Sequence, residues 1–156
     1  MPHVLFTGSS DHTIDTKLRL AIPAKHRSQV GEGTVWYCVP WPGGVLRLYP
    51  EATFRDLASR AEQSLTPSED EASIEASVFG FAERLEQDGQ GRIALPKLHL
   101  ELAEMKGGEV VVLGVRNRLE VRERAAWEAQ RQAQFARLPD LVARLRQGGN
   151  GSHGGN

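Results

Sequence analysis

The 156-residue sequence predicts an α+β protein made of two copies of one unit, and three observations carry this prediction. Residues 15–23 (DTKLRLAIP) recur as residues 88–96 (DGQGRIALP), 73 positions later (88 against 15). The same register continues without a gap to Phe54, which corresponds to Trp127. Each copy also alternates short apolar runs, typical of strands, with longer stretches whose apolar residues recur every three or four positions, typical of helices.

The elements of each copy follow from its turn and cap residues. A strand leads to the aspartate, a three-residue turn follows, and a second strand begins at the arginine, so that each Asp–Arg pair lies at the mouth of a hairpin. Pro23 and Pro96 open helices predicted to reach about residue 30 and about residue 106, because the fixed φ of proline suits the first helical position. Two strands (35–39 and 45–49, then 109–114 and 118–122) and a closing helix (50–64, then 123–137) complete each copy.

A separate helix is predicted between the copies. Thr66, Pro67 and Glu69 resemble a helix start with a capping box, and the helix is expected to end near Gly80. The predicted organisation is therefore a first repeat (1–65), an inter-repeat helix (66–80), a second repeat with a C-terminal helix (81–147), and a flexible glycine-rich tail (148–156).

The formal net charge of −1 conceals an uneven distribution of charge. Ten acidic and three basic residues lie between residues 51 and 88, whereas residues 16–27 hold Lys17, Arg19, Lys25 and Arg27 without an acid. This pattern predicts a polarised molecule with a basic surface suited to an anionic partner.

Several other functions are not expected from the sequence. No apolar run is long enough to cross a membrane and no leader is evident, so we expect a cytoplasmic protein. The single cysteine, Cys38, lies in an apolar run and is expected to be a buried free thiol. His26 and His99 are equivalent in the two copies and are expected on a helix surface or against phosphate. No metal site, cofactor site or catalytic group is predicted.

Each Asp–Arg pair leaves two interpretations open. The carboxylate can cap the turn and hold the guanidinium as a purely structural clamp. Alternatively, an arginine held in this way can read guanine or grip phosphate, and Lys97 lies near Arg92 as a further cation.

The motifs resemble those of the MraZ proteins, bacterial transcriptional regulators of the SpoVT/AbrB-like superfamily. The resemblance covers about residues 6–145 and rests on Phe6-x-Gly8, Asp15-x-Lys17-x-Arg19-x-x-x-Pro23-x-x-x-Arg27, Leu48-Tyr49-Pro50, Phe79-Gly80-x-Ala82 and Asp88-Gly89-x-Gly91-Arg92-x-x-x-Pro96.

The resemblance implies tandem SpoVT/AbrB-like swapped-hairpin halves that form a β-barrel with flanking helices. It also implies a nucleoid-associated, ring-shaped homo-oligomer that binds direct repeats of double-stranded DNA in the promoter of the division and cell-wall gene cluster containing its own gene, usually as a repressor. The residues that it places in the DNA-binding set are Arg19, Arg92, Lys17, Arg27, Lys25 and Lys97, with Asp15 and Asp88 orienting the arginines.

One residue departs from the family pattern. Leu18 stands where the family usually has glycine, at a turn position that favours left-handed backbone. Leucine there costs about 1 kcal/mol, so the first loop is expected to have another shape or to carry strain.

A second hypothesis of another class is an antitoxin-like module that neutralises a protein partner. Neutralisation of a partner should survive loss of Arg19 and Arg92, whereas DNA binding should fail without them and weaken steeply with salt.

Overall fold

The computed structural model describes residues 3–61 and 63–150, and these ranges contain eight strands and six helices. The elements in chain order are β1 (Ser9–Thr13), β2 (Arg19–Ala21), α1 (Ala24–Val30), β3 (Val35–Trp41), β4 (Val45–Pro50), α2 (Glu51–Arg60), α3 (Glu69–Phe79), β5 (Glu83–Glu86), β6 (Arg92–Ala94), α4 (Lys97–Leu102), β7 (Glu109–Val115), β8 (Arg118–Glu123), α5 (Arg124–Ala136) and α6 (Leu138–Asn150).

The two halves are joined by exchange of strands. Six strands form an antiparallel sheet in the order β1-β7-β8-β4-β3-β5, and β2 pairs with β6 in a separate ribbon. The first strand of each half thus pairs within the other half, β1 with β7 and β5 with β3. The α+β class and the duplicated halves are confirmed. The sheet is not closed into the β-barrel that the resemblance implies, since its edge strands β1 and β5 are not paired with each other in the part of the chain that the structure describes.

The strands on either side of each Asp–Arg motif do not form the simple hairpin that local spacing predicts. β1 and β2 pair with β7 and β6, and the backbone bond from the Asp15 amide to the Arg19 carbonyl (3.0 Å) is one of those that close the loop between them. Each loop is therefore a junction between two pairings rather than the tip of one hairpin.

The core lies on one face of the sheet and beneath the β2–β6 ribbon. Alternate residues of β4 and β8 point inward, since side chains alternate along a strand, and Leu46, Leu48, Leu119 and Val121 are fully buried. Trp36 from β3 joins them, and its indole N–H donates to the amide oxygen of Gln87 (3.1 Å). Cys38 is also in this core as a free thiol, as predicted.

The fourth helix is shorter than predicted, because a tight C-terminal cap ends it. α4 stops at Leu102 rather than near residue 106. Glu104 has a φ of 54°, its amide donates to the carbonyl of Glu101 (3.1 Å), and the amide of Met105 donates to the carbonyl of Leu100 (2.9 Å). These bonds have the pattern of a Schellman cap, here with glutamate in the left-handed position usually held by glycine. The second helix is also shorter than predicted, ending at Arg60.

The inter-repeat helix begins two residues later than the sequence indicates. Ser68, not Thr66, caps α3: its hydroxyl oxygen accepts from the amide of Glu71 (3.2 Å) and its hydroxyl donates to the Glu71 carboxylate (3.1 Å). α3 ends at Phe79, and Gly80 is its C-cap residue.

The chain divides into two compact units, one up to Arg124 and the other from Ala125 onward. Residues 148–150 of the predicted tail belong to α6, and residues 151–156 lie outside the described residues. No helix in the described ranges is long and apolar enough to span a membrane.

Candidate nucleic-acid interface

The first Asp–Arg motif is a tight loop closed by its aspartate. Asp15 Oδ1 accepts hydrogen bonds from the backbone amides of Lys17 (2.9 Å) and Arg19 (2.8 Å). Asp15 Oδ2 accepts a bond from Arg19 Nε (2.8 Å). The carboxylate therefore caps the turn and orients the guanidinium at the same time.

The second motif repeats this geometry atom for atom. Asp88 Oδ1 accepts from the amides of Gln90 (2.9 Å) and Arg92 (2.9 Å), and Asp88 Oδ2 accepts from Arg92 Nε (3.0 Å). The amide of Gly91 donates to the Asp88 carbonyl (3.0 Å), as the amide of Leu18 does to that of Asp15 in the first loop. The two copies of the loop therefore keep the same set of hydrogen bonds.

Leu18 adopts the left-handed conformation that its glycine counterpart adopts in the second copy. Its φ is 62°, against 78° for Gly91. The first loop was expected either to take another shape or to carry strain. It keeps the shape of the second loop, so it carries the strain. The Leu18 side chain packs against the buried core cluster, which offsets part of that cost.

The hydrogen bonds fix the charge state of both loops. The amide of Arg19 is the main reason that the pKa of Asp15 lies below its ordinary value, and the amide of Arg92 has the same effect on the pKa of Asp88. Both carboxylates are therefore ionised near neutral pH. Each arginine uses Nε for the aspartate, and its terminal nitrogens have no hydrogen-bond partner among the described residues.

The β2–β6 ribbon places both arginines on one face. Arg19 is opposite Ala94 and Arg92 is opposite Ala21, while Leu20 is opposite Ile93. Because side chains alternate along a strand, the two arginines and two alanines share a face, and the fully buried Leu20 and Ile93 point the other way. From the strand geometry, the arginine Cα atoms are about 8 Å apart.

The first helix reaches across to the loop of the second half. A Cβ atom added to Gly91 would lie 2.6 Å from Arg27 Cδ and 2.9 Å from Arg27 Cζ, so the Arg27 side chain occupies the space that glycine leaves open. Arg27 Nε is buried without a hydrogen-bond partner in the described structure. The residue equivalent to Arg27 in the second half is Leu100, which is buried in the core.

The three predicted lysines are exposed but do not gather at one point. Lys17 lies at the tip of the first loop, Lys25 approaches Gly8 with its Nζ, and Lys97 begins α4. Gln90 occupies the position of Lys17 in the second loop (90 against 17), and sequence reasoning did not select it although the 73-residue offset identifies it.

The expectation for the two repeated histidines is wrong. His26 and His99 are both only 1% exposed, so neither lies on a helix surface or can contact phosphate. His26 packs edge-on against Phe6, with ring centroids 5.4 Å apart. His99 contacts Cys38 Sγ through Nδ1 (3.2 Å) and the carbonyl of Phe81 through Nε2 (2.6 Å).

An ionic cluster on β4 and β8 also escaped the sequence reading. Glu120, only 4% exposed, contacts Arg118 (3.0 Å) and Arg122 (2.7 Å), and Arg47 lies 3.8 Å away. Burial acts to raise the pKa of Glu120, but hydrogen bonds and charge from Arg122 and Arg118 outweigh it and lower that pKa overall. The alternation of charged and apolar residues in β8 was the available signal. Within the described residues, no group of histidine, cysteine, aspartate or glutamate side chains is arranged to hold a metal.

Comparisons with known proteins match the chain to one protein family. The model of one protein family, described as "MraZ protein, putative antitoxin-like", matches residues 5–74 and again 78–146. A protein from Pediococcus pentosaceus named transcriptional regulator MraZ is 31% identical over 144 residues, covering 90% of this chain and 96% of its own length.

Two further relatives carry the same name. The Leuconostoc mesenteroides protein is 34% identical over 125 residues (80% of this chain, 85% of its own length). The Thermomicrobium roseum protein is 33% identical over 144 residues (90% of this chain, 97% of its own length). These names describe regulators and not enzymes. Since the family model matches each half of the duplication and the relatives match across most of the chain, this chain belongs to the MraZ family.

Proposed function

We propose that the chain is a sequence-specific, DNA-binding transcriptional regulator without catalytic activity. The observation that carries the proposal is the shared face of the β2–β6 ribbon, where Arg19 and Arg92 are each held by a carboxylate. The names of the relatives as transcriptional regulators support the same function.

The chemistry of the ribbon suits the major groove of DNA. A two-stranded ribbon fits that groove, and the free terminal nitrogens of an oriented arginine match the O6 and N7 acceptors of guanine. The alanine opposite each arginine has a short side chain, so the backbone of the ribbon can approach the bases. Asp15 and Asp88 act behind the arginines, because a carboxylate facing DNA would be repelled.

The other basic residues act on the backbone of the DNA in this proposal. Lys17 and Arg27 contact phosphates next to the two loops, and Lys25 and Lys97 add cations at the starts of α1 and α4. Phosphate contacts fix register and orientation, whereas the two arginines supply the sequence preference.

We further propose that the protein represses the division and cell-wall gene cluster that contains its own gene. It binds direct repeats in that promoter as a ring-shaped homo-oligomer and so associates with the nucleoid. Repetition strengthens binding, since each contact after the first is effectively intramolecular.

A gel-shift assay tests this function. The probe is the region upstream of the protein's own gene, and the proteins are wild type, Arg19→Ala, Arg92→Ala and the double variant. Each loss of a bidentate guanine contact is expected to weaken binding about 5- to 150-fold. The matched control is Arg60→Ala, an exposed arginine whose only described ion pair is with Asp56, and it should bind as wild type does. Unchanged binding by the double variant refutes the arginine assignment.

The second candidate function is neutralisation of a protein partner, which the antitoxin-like description of the family favours. It predicts that wild type fails to shift the promoter probe, and that partner capture survives in the double variant.

A further inference from the structure

An apolar groove lies on the first unit, and none of the residues that line it belongs to the β2–β6 ribbon. It has a volume of about 570 Å³ and is bounded by the β3–β4 turn, α3 and α4. Its large side chains are incompletely covered: Trp41 is 40% exposed, Ile74 63%, Phe81 42% and Leu102 47%. Leu98, one turn before Leu102 on the same face of α4, is 51% exposed and extends the patch. A contiguous apolar surface of this kind marks an interaction site.

The charge beside the groove is negative. α3 carries four acids and no base, namely Glu69, Asp70, Glu71 and Glu75. Asp70 and Glu71 lie one helical turn before Ile74, and Glu75 follows it, so acids flank the apolar wall. The groove therefore suits an amphipathic helix with basic residues beside its apolar face.

The second unit of the same chain has such a helix. In α6, Leu138, Val142 and Leu145 recur at spacings of four and three residues and are 51%, 39% and 78% exposed. Arg144 and Arg146 flank Leu145. Thirteen residues of α-helix extend about 20 Å, enough to present this stripe as one face.

We propose that the apolar stripe of α6 from one copy of the chain lies in the acidic apolar groove of a second copy. The interface joins two different surfaces and is therefore heterologous, a type of contact that closes into a ring when the rotation between copies permits. This inference rests on the self-association included in the proposed function, and it names the two surfaces that produce it.

Complementation between two defective variants tests the proposal. Ile74→Glu adds another negative charge to the acidic groove, and Leu145→Glu interrupts the apolar stripe. Each variant alone should therefore have the mass of one chain, 17.2 kDa, whereas wild type should have the mass of an assembly. The masses are measured by light scattering after size exclusion. In an equimolar mixture, the intact stripe of the first variant meets the intact groove of the second, and a species of two chains should form without growing further.

Matched controls add the same charge on the opposite faces of the same helices. Ala72→Glu on α3 and Gln147→Glu on α6 should leave the assembly unchanged, and circular dichroism checks folding of all four variants. A monomeric wild type, an assembly that either defective variant retains, or a mixture that stays monomeric overturns the proposal. Arg19→Ala/Arg92→Ala should assemble normally, so loss of promoter binding with intact assembly bears on the arginines alone.

Discussion

Replacement of Gly91 by alanine tests how the two halves are connected at the second Asp–Arg loop. Alanine at the φ of 78° costs about 1 kcal/mol of unfolding free energy. Its Cβ would also lie 2.6 Å from Arg27 Cδ, closer than packed carbons tolerate, so the arginine must leave its place. We assign this displacement about 1 kcal/mol, the low end for overpacking, because a long side chain can move. The expected loss for Gly91→Ala is therefore about 2 kcal/mol.

A double-mutant cycle separates these two contributions. In an Arg27→Ala background there is no side chain to displace, so Gly91→Ala should cost only the backbone part, about 1 kcal/mol. Urea unfolding followed by tryptophan fluorescence at one fixed protein concentration gives all four free energies, since the chain has three tryptophans. If Gly91→Ala costs the same in both backgrounds to within about 0.3 kcal/mol, Arg27 is not seated on the second loop and the reasoning fails.

Three further predictions follow from the same loops and their surroundings. Leu18→Gly should be about 1 kcal/mol more stable than Leu18→Ala in urea, because both lose the packing of leucine but only glycine loses the strain; equal stabilities contradict a strained loop. The lowered pKa values of Asp15 and Asp88 predict a contribution to stability that is present above pH 3.8 and lost as the pH falls below it. In urea titrations from pH 5 to 2.5, an Asp15→Asn/Asp88→Asn variant should therefore lose less unfolding free energy than wild type does. Burial is the main cause that lowers the pKa of His26 from 6.5, so the unfolded chain takes up a proton before the folded chain does, and stability should fall as the pH drops below 6.5. In His26→Phe, the unfolding free energy should depend less on pH between pH 7 and 5.5. An unchanged pH dependence argues against a buried neutral ring.

Local chemistry explains why so much of each half could be predicted. Pro23 and Pro96 directly precede α1 and α4 as N-cap residues, one position before the first helical position that was predicted. The prolines, the aspartate caps and the alternation in β4 and β8 all act within a few residues, so spacing alone indicates the elements. The repeat then carried the prediction of Asp15–Arg19 onto Asp88–Arg92, and the structure gives both loops the same hydrogen bonds.

What could not be predicted depends on distant parts of the chain. Nothing in the loop spacing shows that β1 pairs with β7, or that Arg27 of the first half rests on Gly91 of the second. His26 was misplaced for the same reason: Lys25 and Arg27 beside it on α1 are charged, whereas Phe6, which packs against its buried ring, lies on a distant segment. Leu18 combines both cases. The backbone strain at its turn position could be predicted from the sequence, but the packing of its side chain against the core, which offsets part of that strain, could not.

The most direct test of a shared arginine face is the affinity of the protein for its promoter DNA across a series of salt concentrations. Fluorescence anisotropy with wild type, Arg19→Ala/Arg92→Ala and the Arg60→Ala control gives both the dissociation constant and its salt dependence. The account predicts that wild-type affinity falls steeply with salt, that Arg60→Ala follows wild type, and that the double variant binds at least about 25-fold more weakly at every salt concentration. A double variant that binds the promoter as tightly as wild type contradicts it.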